Sequence, residues 1–279
     1  MARRKLSEEE ANRLKGELSP FSLPSPSPHI VFFAKKGGVT YLLYSNLTLL
    51  TQGEGEIKDG RPRTCPRFKP EIGSDEVGTG DYFGPIVVTA AFVDSKGLKT
   101  IERLGVTDSK LLSDEAMLSL APELEKSIDH ESILISASRY NKAHDNGFNM
   151  NAVKAYAHNA VLLRLAKRHP NVELKIDQFC EPGVYFHYLD KAKEVAKPIL
   201  FKTKGELSFP SIAAASVLSR ILFLREMEKL SRELGAKIPF GAGHEVDEFA
   251  KKIVSEKGAD ALKAIAKISF KNTAKILGE

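Results

Sequence analysis

No stretch of this 279-residue chain comes near eighteen consecutive apolar residues, so no hydrophobic membrane-spanning helix is expected. Cysteine is almost absent. Cys65 and Cys180 stand alone, too few and too far apart for a disulfide scaffold or a thiolate metal knot. The first residues, Met1-Ala2-Arg3-Arg4-Lys5, run into Leu6-Ser7-Glu8-Glu9-Glu10 and not into an apolar core, which argues against secretory and twin-arginine export signals. These absences together imply a reducing, cytoplasmic location. The histidines show no metal-ligand spacing, and no internal repeat stands out. Acidic charge is not in excess either: the net charge is +5 and the pI about 9.0. Residues 1–70 hold 12 Lys and Arg against 7 Asp and Glu, whereas the remaining 209 residues hold 29 of each. A basic region attached to a balanced remainder suits a polyanionic partner, although a solvated basic surface would look the same.

What is present is concentrated in Ile72-Gly73-Ser74-Asp75-Glu76-Val77-Gly78-Thr79-Gly80-Asp81-Tyr82-Phe83-Gly84-Pro85, followed by the apolar run Ile86–Val93. The pattern predicts strand, tight turn, strand. Neighbouring side chains of a strand point to opposite faces, so Asp75 and Glu76 cannot both be buried without partners. A buried carboxylate is costly unless it pairs, is hydrogen-bonded or binds a cation. A hard divalent ion with oxygen ligands satisfies that need most simply. Asp-Glu pairs are also common in solvated turns. The spacing of Gly78, Gly80 and Gly84 favours the first reading, because it points to positive φ or to close approach of another group. Free amides in such a loop can meet phosphate or sugar oxygens.

The stretch resembles the signature of the type 2 ribonucleases H, and its Gly-Thr-Gly form is similar to the ribonuclease HIII branch. Five further blocks follow in family order. They are Thr107–Leu112; Tyr140-Asn141 with Asn149–Asn159; Ile176–Phe179 with Tyr185 and Tyr188-Leu189; Thr203–Glu206; and Ser211–Ser216 to Arg220. The resemblance implies a ribonuclease-H-like α/β fold, a mixed sheet flanked by helices, over residues 70–279. It also implies a small, basic, TATA-binding-protein-like α+β domain over residues 1–69 that binds substrate. Where the family's N-terminal hairpin carries lysines, this chain has Ser45 and Thr48. Substrate binding there is expected to be trimmed or shifted to Lys35, Lys36, Arg61, Arg63 and Arg67, and Gly60, Pro62 and Pro66 leave no room for a full second helix.

Local signals place the elements. Ser7 and Glu10 form a capping box for a helix to Leu18. Pro20–Pro28 cannot continue it, and three short strands follow near 29–34, 39–45 and 47–51. Beyond Pro70, strands are expected near 71–77, 84–94, 132–138, 172–177 and 198–202. Helices are expected near 112–127, 149–169, 183–195, 210–234, 244–256 and 259–269. Asn149 is a plausible cap, and Pro210 suits a first helical turn.

The resemblance also assigns a site. Asp75, Glu76 and Asp177 are expected to hold two ions, Mg²⁺ or Mn²⁺, for phosphodiester hydrolysis. A strand-end Asp such as Asp177 is more commonly a cap. In ribonuclease HII a fourth carboxylate lies where this chain has Leu224. In the HIII branch a residue four after the third Asp replaces it, which is Glu181 here. As a residue beside Pro182, Glu181 could equally favour a helix N-terminus. Gly78, Thr79 and Gly80 are expected to meet the RNA strand, and Ser109, Lys110, Asn151 and Lys154 the nucleic-acid backbone. His158 is expected to be a packed or bonding residue, and His187 a weak candidate beside Glu181. The activity implied is endonucleolytic cleavage of the RNA strand of RNA/DNA hybrids, leaving 5′-phosphate and 3′-hydroxyl ends, with a role in primer and hybrid removal. The alternatives are HII-like cleavage at single embedded ribonucleotides, or a non-catalytic hybrid-binding protein. No obligate protein partner is evident.

Overall fold

The computed structural model describes residues 2–25, 30–53, 68–106 and 112–278. They fall into two compact units, Met1–Arg67 and Phe68–Glu279.

The first unit contains β1 (Ala2–Lys5), α1 (Glu8–Leu18), β2 (Ile30–Lys36), β3 (Val39–Tyr44) and β4 (Thr48–Gly53). Its antiparallel sheet has the order β1-β4-β3-β2. The capping box forms as expected. The Ser7 hydroxyl accepts from the Glu10 amide at 3.2 Å, and the Ser7 amide donates to Glu10 Oε2 at 2.8 Å. Gly37 and Gly38 both take positive φ, which closes the β2–β3 hairpin with a turn that matches strand twist. Strand β1 was not anticipated, because Arg-Arg-Lys shows no apolar alternation. It is an edge strand, where charge is tolerated and limits further pairing. Leu6, Ala11 and Leu43 form the small core. Arg61, Arg63, Arg67 and the stretch in which no second helix was expected lie outside the described residues.

The second unit contains β5 (Glu71–Val77), β6 (Ile86–Val93), α2 (Ser95–Arg103), α3 (Asp114–Ser127), β7 (His130–Ile135), α4 (Ala137–Asp145), α5 (Met150–Arg168), β8 (Glu173–Asp177), α6 (Pro182–Tyr188), β9 (Ile199–Lys202), α7 (Pro210–Leu234), α8 (His244–Lys257), α9 (Ala259–Ile265) and α10 (Lys271–Leu277). The five-stranded sheet has the order β7-β6-β5-β8-β9. β5 is central. It pairs antiparallel with β6 and parallel with β8, so the sheet is mixed.

Both faces of β5 are covered, and its side chains alternate strictly between them. Ile72, Ser74 and Glu76 face α5: Ile72 packs with Val161, Leu162 and Leu165, while Ser74 and Glu76 both bond His158. Glu71, Gly73 and Asp75 face α7. Glu71 accepts from the Ser211 amide and hydroxyl at 2.9 and 2.8 Å, and it is ion-paired with buried Lys175. At Gly73 the helix comes so close that a Cβ would stand 2.4 Å from Ser211 Oγ and 2.6 Å from the Ile212 amide nitrogen. Ala213, Ala214 and Ala215 keep that approach possible, and all three are buried.

Departures from the expected elements have local causes. Helix α6 stops at Tyr188, short of the expected 195, and the Asn159 side chain holds the chain further on, bonding the Glu194 carbonyl and the Ala196 amide at 2.9 Å each. The strand expected to reach 138 ends at Ile135, where Ser136 caps α4 by accepting from the Arg139 amide. Asp94 similarly ends β6 and caps α2, bonding the Lys96 and Gly97 amides. Helix α10 was too short to show periodicity.

Gly73→Ala should destabilise the protein by about 1–3 kcal/mol or more, the usual cost of overpacking a tight contact, because the added Cβ meets the Ile212 amide nitrogen of the helix backbone as well as the Ser211 and Ile212 side chains. Urea unfolding measures this. A variant as stable as wild type would contradict the close packing of α7 on β5.

Candidate active site

The ends of β5 and β8 bring Asp75, Glu76 and Asp177 to one cavity of about 460 Å³. Parallel pairing of the two strands does this directly, since Ser74 is in register with Ile176 and the carboxylates follow at the same end. Ser216 and Arg220 of α7 and Glu206 of the preceding turn also line the cavity.

Each carboxylate sits in a different environment. Asp75 is buried, and its pKa is pushed up to about 8 by burial and by the neighbouring charge of Glu76, with a smaller push from Asp177. The Ser216 hydroxyl and the Glu76 amide, the latter at 2.7 Å, offset only part of this. Burial also pushes Glu76 upward, but His158 and Lys154 outweigh it and hold Glu76 below the usual range. Lys154 Nζ and His158 Nε2 each stand 2.9 Å from a Glu76 oxygen. An ionised carboxylate only accepts, so His158 Nε2 carries a proton, and Nδ1 meets the Ser74 hydroxyl at 2.8 Å. Burial raises Asp177 too, as do the charges of Glu206 and Glu76, against the Gly205 amide that donates to it at 2.8 Å.

One buried and one half-buried acid that resist ionisation, beside a third that is held ionised, form a donor set suited to hard cations, which would relieve the repulsion. Among the described residues no three His, Cys, Asp or Glu side chains are already closed into a metal cage. Glu76 is turned to Lys154 and His158, and Glu181 stands at the exposed N-terminal cap of α6 without lining the cavity. The charge of Glu181 is nevertheless felt at Cys180, whose thiol is raised by burial and then, together with Glu76, by this residue.

The expected substrate contacts divide. Gly78 has φ +88°, and a Cβ there would stand 2.2 Å from the Pro85 carbonyl oxygen; Gly84 has φ +80° and abuts Met227. Gly80 carries neither constraint and faces open space, so the glycine spacing overstated the backbone's needs. Thr79 is half-buried beside it, and Asn151 is half-buried in the first turn of α5. Lys154 departs from the expected backbone contact: it is buried, paired with Glu76 and 4.0 Å from the centre of the Phe179 ring. At helical spacing from a His on the same face of α5, it serves the carboxylate and not the surface. Ser109 and Lys110 lie outside the described residues. His187 is exposed and bonded to Asp190, away from the cavity. Glu206, Ser216 and Arg220 carry no sequence signal that marks them as cavity residues. Only the recurrence of their blocks hinted at the place.

Comparison with known proteins places this geometry. Residues 72–273 match the family model described as ribonuclease HII. Ribonuclease HIII of Streptococcus pyogenes serotype M5 is 37% identical over 95% of this chain and 94% of its own length, and that of serotype M1 is equally similar. Among solved structures, Bst-RNase HIII in complex with Mn²⁺ is 33% identical, with a TM-score of 0.75 over 99% of this chain and 97% of its own. Aquifex aeolicus RNase H3 is 25% identical with a TM-score of 0.59, covering 96% and 99%.

The raised Asp75 has a consequence for stability. A folded-state pKa of about 8 against an ordinary 3.8 means that the fold prefers the protonated acid. Its contribution is full below about pH 4 and is lost as pH rises toward 8. In chelator at pH 9, Asp75→Asn should therefore be more stable than wild type by about 1–3 kcal/mol, the scale of an uncompensated buried polar group, and the gain should vanish near pH 4. Equal stability of the two proteins in chemical denaturation at pH 9 would refute the buried-carboxylate reading.

Proposed function

The chain belongs to the type 2 ribonuclease H family, in its ribonuclease HIII branch, and we propose that, as an endoribonuclease of that branch, it cleaves the RNA strand of RNA/DNA hybrids. The reaction leaves 5′-phosphate and 3′-hydroxyl ends and depends on two divalent ions, Mg²⁺ or Mn²⁺. The observation that carries this reading is the convergence of Asp75, Glu76 and Asp177 at adjacent strand ends, in one cavity, with their charges mutually unfavourable. A relative of the same fold has been solved with Mn²⁺.

Asp75, Glu76 and Asp177 would hold the ions, with Glu181 as the fourth carboxylate. When bound, the ions supply activation of water and stabilisation of the leaving oxygen. The chain's own groups prepare the ligands. Lys154 and His158 keep Glu76 ionised and fixed, Ser216 holds Asp75, and the Gly205 amide holds Asp177. Gly78 starts the loop in a conformation that favours glycine, leaving Thr79 and Gly80 to offer backbone groups to the RNA 2′-hydroxyls. Asn151, Ser109 and Lys110 are assigned to the nucleic-acid backbone. The small N-terminal unit adds affinity through charge, with Lys35 and Lys36 exposed at the end of β2. Leu224 is buried on α7, so the position used for a carboxylate in ribonuclease HII is part of the core here, which favours HIII-type specificity. The cellular role assigned is cytoplasmic removal of replication primers and other hybrids.

Cleavage of a labelled RNA/DNA hybrid, and of a DNA duplex holding one ribonucleotide, tests this. With Mg²⁺ or Mn²⁺ the hybrid should be cut, in chelator it should not, and Asp177→Asn should lose on the order of 10³-fold in rate, the equivalent of several kcal/mol. Comparable cutting at the single ribonucleotide would point to HII-like specificity. An undiminished Asp177→Asn would remove this residue from the site.

A further inference from the structure

A polyanion must enter a cavity walled by carboxylates. Among the described residues that line it, Asp75, Glu76, Asp177 and Glu206 are acidic and Arg220 alone is basic. Lys154 is already committed to Glu76. Arg220 is held on several sides. Its Nε and Nη2 donate to the two oxygens of Asp114, at 2.9 and 2.8 Å. Its guanidinium carbon lies 5.4 Å from the centre of the Phe223 ring and 5.2 Å from that of Phe240. Nη1 makes no hydrogen bond to a described residue, and the side chain is 27% exposed. A half-exposed ion pair contributes little stability, so stability alone is a weak reason for restraining one guanidinium this much. A planar fork with one edge paired and two aromatic rings beside it has its remaining edge to offer, and that edge suits a phosphate.

We propose that Arg220 grips a phosphate of the nucleic-acid backbone at the wall of the carboxylate cavity, with Asp114, Phe223 and Phe240 aiming its guanidinium. This rests on the nucleic-acid substrate assigned above and adds a cation to a cavity whose other charged lining, among the described residues, is anionic. Arg220 thereby offsets the repulsion between the entering phosphodiester and the carboxylate wall, and Asp114 serves as a positioning residue.

The test is the salt dependence of binding. A labelled RNA/DNA hybrid is titrated by fluorescence anisotropy across a KCl series at fixed Mg²⁺, in an Asp75→Asn background that prevents turnover. Each phosphate contact contributes close to one unit to the slope of log affinity against log salt. Arg220→Gln should weaken binding about tenfold and lower the slope by about one. Arg220→Lys, which keeps the charge but loses the fork, should weaken binding and keep the slope. Asp114→Asn should also keep it. Should Arg220→Gln lose its fold by circular dichroism, Arg220→Met, apolar against the two rings, replaces it. An unchanged slope in the folded variant would overturn the proposal. So would an Asp114→Asn loss as large as that of Arg220→Gln, since the pair would then be only a latch. Wild-type protein that binds hybrid but never cuts it would refute the proposed activity and leave the slope readable.

Discussion

Adjacent residues of a strand face opposite ways, and the central strand of the larger unit carries Asp75 and Glu76 side by side. That constraint organises the rest. Each carboxylate needs its own compensating layer, and β5 is covered on both faces to supply them. The α5 face provides Lys154 and His158 for Glu76. The α7 face provides Ser216 for Asp75, while Ser219 donates to the Asp75 carbonyl at 3.2 Å. The same alternation recurs along the strand, where Glu71 meets Ser211 and Lys175 on one side and Ser74 meets His158 on the other.

The two layers are not equivalent, and the difference bears on chemistry. On the α5 side the partners are cationic or protonated, so Glu76 is ionised and oriented before any ion binds. On the α7 side they are hydroxyls and small residues, so Asp75 remains a reluctant acid. One carboxylate is prepared and one is destabilised. A bound cation would relieve the second while using the first, which would couple stability to occupancy through mass action. The close approach of α7 at Gly73 holds this arrangement, because it sets the distance from the helix hydroxyls to the strand.

Much of this was legible from residues alone. The apolar run after Gly84-Pro85 specified a second strand, and the central hairpin follows from it. Asn149 caps α5 with 2.8 Å to the Ala152 amide, as its position before an amphipathic run required. Pro210 opens α7 as a first-turn proline. What was not legible has a common cause: it depends on partners distant in sequence. Nothing around Lys154 states that Glu76, on another element, will claim its ammonium. Nothing around Asn159 states that it will hold the chain at Glu194 and Ala196. Gly80 looked like its neighbours, but only a three-dimensional environment separates a glycine that is required from one that is merely present. The basic strand β1 was hidden because edge position, not periodicity, determines its tolerance of charge.

The central claim is that these carboxylates form a metal site. Crystals grown or soaked with Mn²⁺ and measured at the manganese absorption edge would locate the ions by anomalous scattering. The account predicts peaks within coordination distance of Asp75, Glu76 and Asp177, with Glu181 drawn toward one of them. Peaks absent from this cavity while Mn²⁺ supports cleavage, or ions held elsewhere on the chain, would contradict it.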